Sequence, residues 1–367
     1  MRSFRNFFVN AALSLATFVI CLLFCELILF RFFWLASDVP RNDFVNGIVR
    51  YAPNQSGVWR IRNEIAASYA INAQGWNSGI GDYRLDKSPG TFRIAVIGDS
   101  FVEALQVAHD RSLGERLAAE LAHDGRGVEV LRFGISGAPM SQYLNVIERE
   151  VARYRPDVIV VLIVHNDFDE SFEFVPGRYT SSFLKLRIEN GRVVGEIPPA
   201  AWAATPADWL RHTATARFFY YRWQVGPESI KNLLIGSVRA DTGRFSANVD
   251  TNKIAALRAD MTAAADYTFG RIVEAARAMG ARLIIAIDGD RGAIYAGDAN
   301  PVALVLNGIA SEAAKRHGIG FVDLQPIFAA DWQANRLPFD FASDGHWNEY
   351  GHAVAAKAIA QALDARP

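Results

Sequence analysis

The chain has 367 residues, about half of them hydrophobic and a fifth charged, enough for one large domain or two modest ones with a real core. Its formal net charge of −1 carries no global basic field and argues against a nucleic-acid-binding role. The two cysteines, Cys21 and Cys25, both fall in the apolar N-terminal stretch, so the rest of the chain holds neither a disulfide nor a Cys-ligated zinc.

From Phe7 to Phe30 the sequence is apolar on every side. As a helix it would be roughly 36 Å long, enough to cross a bilayer. A cleaved signal peptide would have about half that apolar length and a small-x-small site after it. Here Arg31, Phe32, Phe33 and Trp34 follow instead, in the manner of an interfacial belt. Ile20 and Phe24 stand where a lipoprotein signal needs a small residue before its cysteine. The segment therefore reads as a retained transmembrane anchor over residues 1–36. Arg2 and Arg5 before it balance Arg31 and Arg41 after it, so orientation rests on the short N-terminal tail: tail inside, remainder outside the cytoplasmic membrane, on the periplasmic or extracytoplasmic side. Glu26 is a costly charge in such a span and reads as pairing with Arg31 rather than with a partner helix.

Residues 37–90 carry turn signals around two alternating runs, Val58–Ile61 and Ser68–Ile71, which predict a hairpin. From 91 to 367 the pattern becomes regular. Apolar runs at Phe92–Ile97, Val128–Phe133, Val158–Val164, Leu283–Ile287 and Gly320–Val322 alternate with helical spacing at Ser112–Ala122, Gln142–Tyr154, Pro301–His317 and Glu349–Leu363. Continuous apolar strands between helices predict a five-stranded parallel sheet covered on both faces, a flavodoxin-like three-layer α/β/α sandwich. Ligands in such folds bind beyond the carboxyl ends of the strands. Residues 168–250 exceed any simple connection and are rich in aromatics, including Phe172, Phe174, Trp202, Trp209, Phe218 and Trp223. They are read as a cap insertion whose aromatics mostly form its own small core, with a substrate-facing or membrane-facing role open to a few.

Four motifs fall at strand ends. Gly98-Asp99-Ser100 follows the first strand; the tripeptide alone is an ordinary turn, but its place puts a serine hydroxyl at the pocket. Gly134-Ile135-Ser136-Gly137 follows the second, where glycine lets a backbone N–H face the site or merely supplies positive φ. His165-Asn166-Asp167 follows the third; a neutral amide there donates to a developing oxyanion, or the Asn-Asp pair is an Asx turn or cap. Ser343-Asp344-Gly345-His346-Trp347 precedes the last helix and supplies an imidazole base with a carboxylate two residues away. His165 is read as packing, His109, His123, His212 and His317 as surface residues, and Asp99 and Asp167 as braces for local backbone. Gly98-Asp99 with Asp344, His346 and His352 would be a metal set of another kind. The spacing lacks the i, i+4 pair of a helical zinc site, so neither metal nor cofactor is expected.

In this order the motifs resemble the four blocks of the SGNH (GDSL) hydrolases, across about 275 residues. The resemblance implies a nucleophilic Ser100, an oxyanion hole from the N–H groups of Ser100 and Gly137 and the Asn166 amide, and a triad completed by Asp344 and His346. Two positions depart from the family pattern. Val164 stands for the glycine of the third block, and Ser343 stands for the aspartate of the fourth, leaving Asp344 two residues before the histidine. That Asp-x-His-Trp spacing is similar to SGNH-like proteins that O-acetylate alginate, in which the pair precedes the serine. The resemblance implies an ester hydrolase, an esterase or deacetylase, acting on an acylated carbohydrate or lipid-like ester. The alternatives are an O-acyltransferase working with polysaccharide-export or modification partners, and an inactive glycan-binding or assembly protein.

Overall fold

The computed structural model describes residues 2–122, 127–174, 180–203, 205–226 and 245–364. Those residues fall into two compact units, one of Met1–Val39, Val58–Ala66 and Ala203–Arg239, the other of Pro40–Gly57, Ala67–Trp202 and Ala240–Pro367.

In the smaller unit an α-helix, Arg2–Phe24, widens into π-type turns over Cys25–Phe33. Residues Phe4–Phe33 form one helix long and apolar enough to cross a membrane, and their side chains are almost wholly exposed, unlike those of a core helix. Only its end is covered, where Phe30 and Ala36 pack with Ala214 and Phe218. The 203–226 aromatics thus do not make a core of their own. Phe218 stacks on Phe30 with ring centroids 4.3 Å apart, and Tyr221 meets Trp59 edge-on at 5.9 Å. The reason is length: two short helical turns, Pro206–Arg211 and Ala214–Ala216 with its continuation Arg217–Arg222, offer too little surface to bury themselves.

Four strands come first in chain order, in two two-stranded sheets: β1 (Asn42–Val45) with β2 (Ile48–Tyr51), and β3 (Gln55–Ile61) with β4 (Ile65–Ile71). The central sheet begins with β5 (Phe92–Gly98), β6 (Val128–Gly134) and β7 (Val158–Ile163). Two small antiparallel pairs follow, β8 (Lys185–Glu189) with β9 (Arg192–Ile197) and β10 (Phe245–Ser246) with β11 (Val249–Asp250). The sheet is completed by β12 (Arg282–Ile287) and β13 (Gly320–Asp323). Its order is β13-β12-β7-β5-β6 with every pair parallel, the flavodoxin-like arrangement expected.

β7 is buried at all six positions and β5 at all but its first, which is why both read as unbroken apolar runs. On one face Ile94, Val96, Val160, Leu162 and Ala286 pack with the helices Leu113–Leu121 and Glu349–Asp364. The helices Met140–Arg149, Arg258–Met279 and Leu304–His317 pack together, the first against β5 and the others against β12. The helix predicted over Gln142–Tyr154 breaks at Glu150 into a tight turn, Val151–Tyr154, and Pro156 ends that turn. Between β5 and β7 the chain direction of strand addition reverses, and Ser100 follows β5 there, at the switch point where such sheets bind ligands.

Candidate active site

Ser100 opens a single helical turn, Ser100–Glu103, whose start is capped by the Asp99 carboxylate accepting Phe101 N–H at 2.9 Å. The turn is packed too tightly for a side chain on its flank. A Cβ on Gly98 would lie 2.5 Å from Val102 Cγ2 and 3.1 Å from the Leu162 carbonyl oxygen. One on Gly134 would lie 2.1 Å from Glu103 N, so the ends of β5 and β6 close on the turn only because both are glycine.

Ser100 Oγ lies 2.7 Å from His346 Nε2, and His346 Nδ1 lies 2.5 Å from Asp344 Oδ1, which also accepts His346 N–H at 2.9 Å. Residues 246 positions apart thus form one continuous chain of hydrogen bonds. With Nδ1–H donating to Asp344, the lone pair on Nε2 is free to receive the serine proton. Asp99 Oδ2 is 3.3 Å from the same hydroxyl, the longer and weaker competitor for it. Burial pulls the His346 pKa down, but the hydrogen bond and charge of Asp344, with Asp99 and Glu103 behind, leave it above its ordinary value. Burial also works against Asp344, yet its bonds to His346 hold it below the usual carboxylate range, so it stays ionised.

The other predicted residues lie at the neighbouring strand ends. Gly137 adopts φ +73°, a left-handed backbone that favours glycine, and a Cβ there would meet nothing within 4 Å. Asn166 begins a one-turn helix after β7, and its Nδ2 donates to Glu170 Oε1 at 3.0 Å, which fixes the amide plane and uses one of its two N–H groups. Asp167 braces this loop, accepting Val164 N–H and Tyr143 O–H at 2.9 Å each. His165 is buried with Nε2 2.8 Å from Asn307 Oδ1, a packed residue as expected. His352 is buried against Trp347, and burial pushes its pKa down to about 3. His109, His212 and His317 are half-buried rather than open on the surface, His317 through contact with Asp266 at 3.1 Å; His123 lies outside the described residues. Among the described residues no group of three His, Cys, Asp or Glu is arranged to hold a metal ion.

Several supports of the site carry no signature in the sequence. Arg291 pairs with Asp288, donates from Nη2 to the Gly345 carbonyl at 2.6 Å, and lays its guanidinium 5.2 Å from the Phe101 ring. Asp288 in turn accepts Trp347 Nε1–H at 3.1 Å, so the pair grips the 344–347 loop on both sides of His346. Phe101 also packs on the imidazole, ring centroids 5.0 Å apart. Gln106 places its amide nitrogen 3.2 Å from His346 Nδ1 while its Oε1 is buried without a partner. Since Nδ1 already donates to Asp344, turning the amide over gives Oε1 a share of that proton. Beneath the loop Glu103 accepts from Tyr51 O–H and from Ser136 N–H, and burial pushes its pKa up to about 7. Burial likewise pushes Asp99 up to about 6. Their partners lie far along the chain, and no short motif marks them.

Arg291 offers a test of this framework. Lysine keeps the charge opposite Asp288 but lacks the planar fork that also reaches Gly345. Arg291→Lys is expected to lower kcat by roughly ten- to a hundredfold through misplacement of the imidazole. KM for a small aryl acetate should change little, while the lost bond from buried Arg291 to Gly345 lowers the unfolding midpoint, as steady-state kinetics beside a thermal melt would show.

Residues 96–218 match the GDSL-like lipase/acylhydrolase family. Over that stretch, about a third of its length, the chain is similar to GDSL-like lipases and acylhydrolases. No curated protein matches it. Similar solved structures include LAE5, described as an alpha/beta hydrolase enzyme from the metagenome of Lake Arreo, Spain, at 14% identity over 76% of this chain and 96% of that one, TM-score 0.42. A lipolytic protein of the G-D-S-L family from Veillonella parvula matches at 14% over 75% and 99%, TM-score 0.38. A catalytic mutant of Axe2, an acetylxylan esterase from Geobacillus stearothermophilus, matches at 14% over 77% and 98%, TM-score 0.41.

Proposed function

We propose that this protein is an esterase or deacetylase that works through an acyl-enzyme at Ser100, on O-acylated polysaccharide outside the cytoplasmic membrane. The observation that carries the reading is the unbroken hydrogen-bonded line from Ser100 Oγ through His346 to Asp344.

In the first half-reaction His346 Nε2 takes the Ser100 proton as Oγ bonds to the ester carbonyl carbon. The carbonyl oxygen becomes an oxyanion, held by the N–H groups of Ser100 and Gly137 and by the Asn166 N–H that Glu170 leaves unused. Ser100 stands first in its turn, where a helix leaves its N–H groups without internal partners. The bond to the leaving oxygen then breaks, and His346 returns the proton to that oxygen. In the second half-reaction His346 removes a proton from water as its oxygen bonds to the acyl carbon; the bond to Oγ then breaks, His346 returns the proton to Oγ, and the acid leaves.

For the substrate, the support is the cleft beside the 344–347 loop. It measures about 420 Å³ and is bordered by Val164, Gly345, Asn248, Asp290, Arg291 and Asp340. Carboxylates, an amide and a guanidinium suit the hydroxyl groups of a sugar better than a long acyl chain. The long exposed N-terminal helix supports tethering at the membrane.

The test is product analysis with an acetylated glycan, and separately with an aryl acetate plus unacetylated glycan. Release of free acetate in both arms is the expected result. Transfer of acetyl to the glycan at the expense of free acetate would replace hydrolysis by O-acyl transfer. Glycan binding with neither product would leave a binding protein.

A further inference from the structure

Glu26 is the only acidic residue between Phe4 and Phe33. The partner expected from the sequence is Arg31, and that pair forms at 3.2 Å, but it is the lesser part of what the carboxylate does. Glu26 Oε1 also accepts Ala214 N–H at 2.8 Å, while Oε2 accepts Thr215 N–H at 2.9 Å and Thr215 Oγ1–H at 3.0 Å. Those amides begin the helical run Ala214–Ala216 and Arg217–Arg222, so a side chain of the apolar helix caps a second helix 188 residues away. Arg217 fastens the same run again, donating to Ser37 O at 2.9 Å and Asp38 Oδ1 at 3.0 Å.

Depth follows from the rise of a helix. The 30 residues Phe4–Phe33 would measure about 45 Å against a hydrocarbon core of about 30 Å. Glu26 lies about 10 Å along the axis before Phe33 and clears the hydrocarbon when most of the roughly 15 Å surplus lies at this end, the placement that the cost of burying Glu26 and Arg31 favours. Whatever Glu26 caps lies at that level too. The surface held there is suited to it. Trp209, Leu210, Phe219, Tyr220, Trp223 and Val225 are all exposed, Trp209 at 77%. Residues 206–226 also contain three arginines against one aspartate. Tryptophan, tyrosine and arginine are the side chains that gather where lipid meets water. Phe33 and Trp34, which end the apolar helix, border a groove of about 520 Å³ together with Phe218, Phe219 and Trp223, so the two apolar surfaces are continuous.

We propose that residues 206–226 form a second membrane-contacting element, seated in the phospholipid headgroup zone and pinned there by Glu26. The proposal rests on the reading of the N-terminal helix as a membrane anchor, and its occupant is the bilayer itself rather than a protein partner. The anchor and this element then hold the enzyme at two points.

The experiment uses the full chain in vesicles of phosphatidylglycerol and phosphatidylcholine whose acyl chains carry bromine, which quenches nearby tryptophan fluorescence. Trp34→Phe reports on the anchor, and Trp209→Phe with Trp223→Phe on the proposed element. Each set of replacements is expected to remove part of the lipid-quenched emission. Glu26→Ala should remove the part due to Trp209 and Trp223 while leaving that of Trp34, and Glu26→Gln, which keeps an acceptor oxygen, should restore it. Quenching unchanged by the Trp209 and Trp223 replacements overturns the proposal. If the Trp34 replacement still lowers quenching, the anchor stands without it; if it does not, the anchor reading falls as well. Quenching by Trp209 and Trp223 that survives Glu26→Ala would overturn the pin.

Discussion

Ser100→Ala is expected to lower turnover of an aryl acetate by about 10⁴ or more and to leave the protein folded. The hydroxyl is the only nucleophile on the line that His346 serves, and alanine keeps Cβ in place and only vacates the Oγ position, in a turn fixed by Asp99, Gly98 and Gly134. No hydrogen bond needed by the fold is lost, because the cap on Phe101 N–H comes from Asp99. Residual rate over water, from the proposed oxyanion donors and binding alone, should persist. Unaltered turnover with an unaltered melt would place the nucleophile elsewhere.

Asp344→Asn is expected to cost about 10⁴ in kcat. The amide can present N–H to Nδ1, and the imidazole then keeps its proton on Nε2, the nitrogen that must accept from serine. The same variant should also shift the pH profile. The proposed mechanism needs neutral His346, so kcat/KM should rise with pH through the histidine pKa. In the parent that pKa stands above the ordinary 6.5, chiefly because the bond and charge of Asp344 outweigh the cost of burial. Removing the charge moves the acid limb to lower pH even as the plateau falls. A limb that stays in place would mean that Asp344 does not act on the imidazole.

The sheet was legible because its strands are buried on both faces, so β5 and β7 are unbroken apolar runs and their ends mark the rim. Three of the motifs lie just past a run; the fourth, at 343–347, lies beyond β13 and the helix Leu324–Asn335 and is marked by its Asp-x-His pattern instead. The helix Arg258–Met279 was not legible, although it is among the longest, because its buried side includes Ala264, Ala265 and Ala276 and offers little contrast with its exposed side. The aromatic stretch was misjudged for a related reason. Composition reveals that Phe218 is buried but not that its cover is Phe30, near the end of the apolar helix. Asp288, Arg291, Gln106 and Glu103 were silent for a third reason. Each acts by meeting a residue far along the chain, and local spacing carries no trace of such a meeting. Asp344 is the converse case: its spacing departs from the pattern of similar proteins, yet its carboxylate reaches His346 Nδ1.

The most direct measurement is to trap the intermediate. The protein is mixed with an activated acetyl ester, quenched in acid within the turnover time, digested and mapped by mass spectrometry. An acetyl mass increment on Ser100 that vanishes on chase with water, and a fluorophosphonate adduct on the same side chain, are the results predicted. An unmodified Ser100 during steady turnover, or a stable label on any other residue, would contradict an acyl-enzyme at this serine.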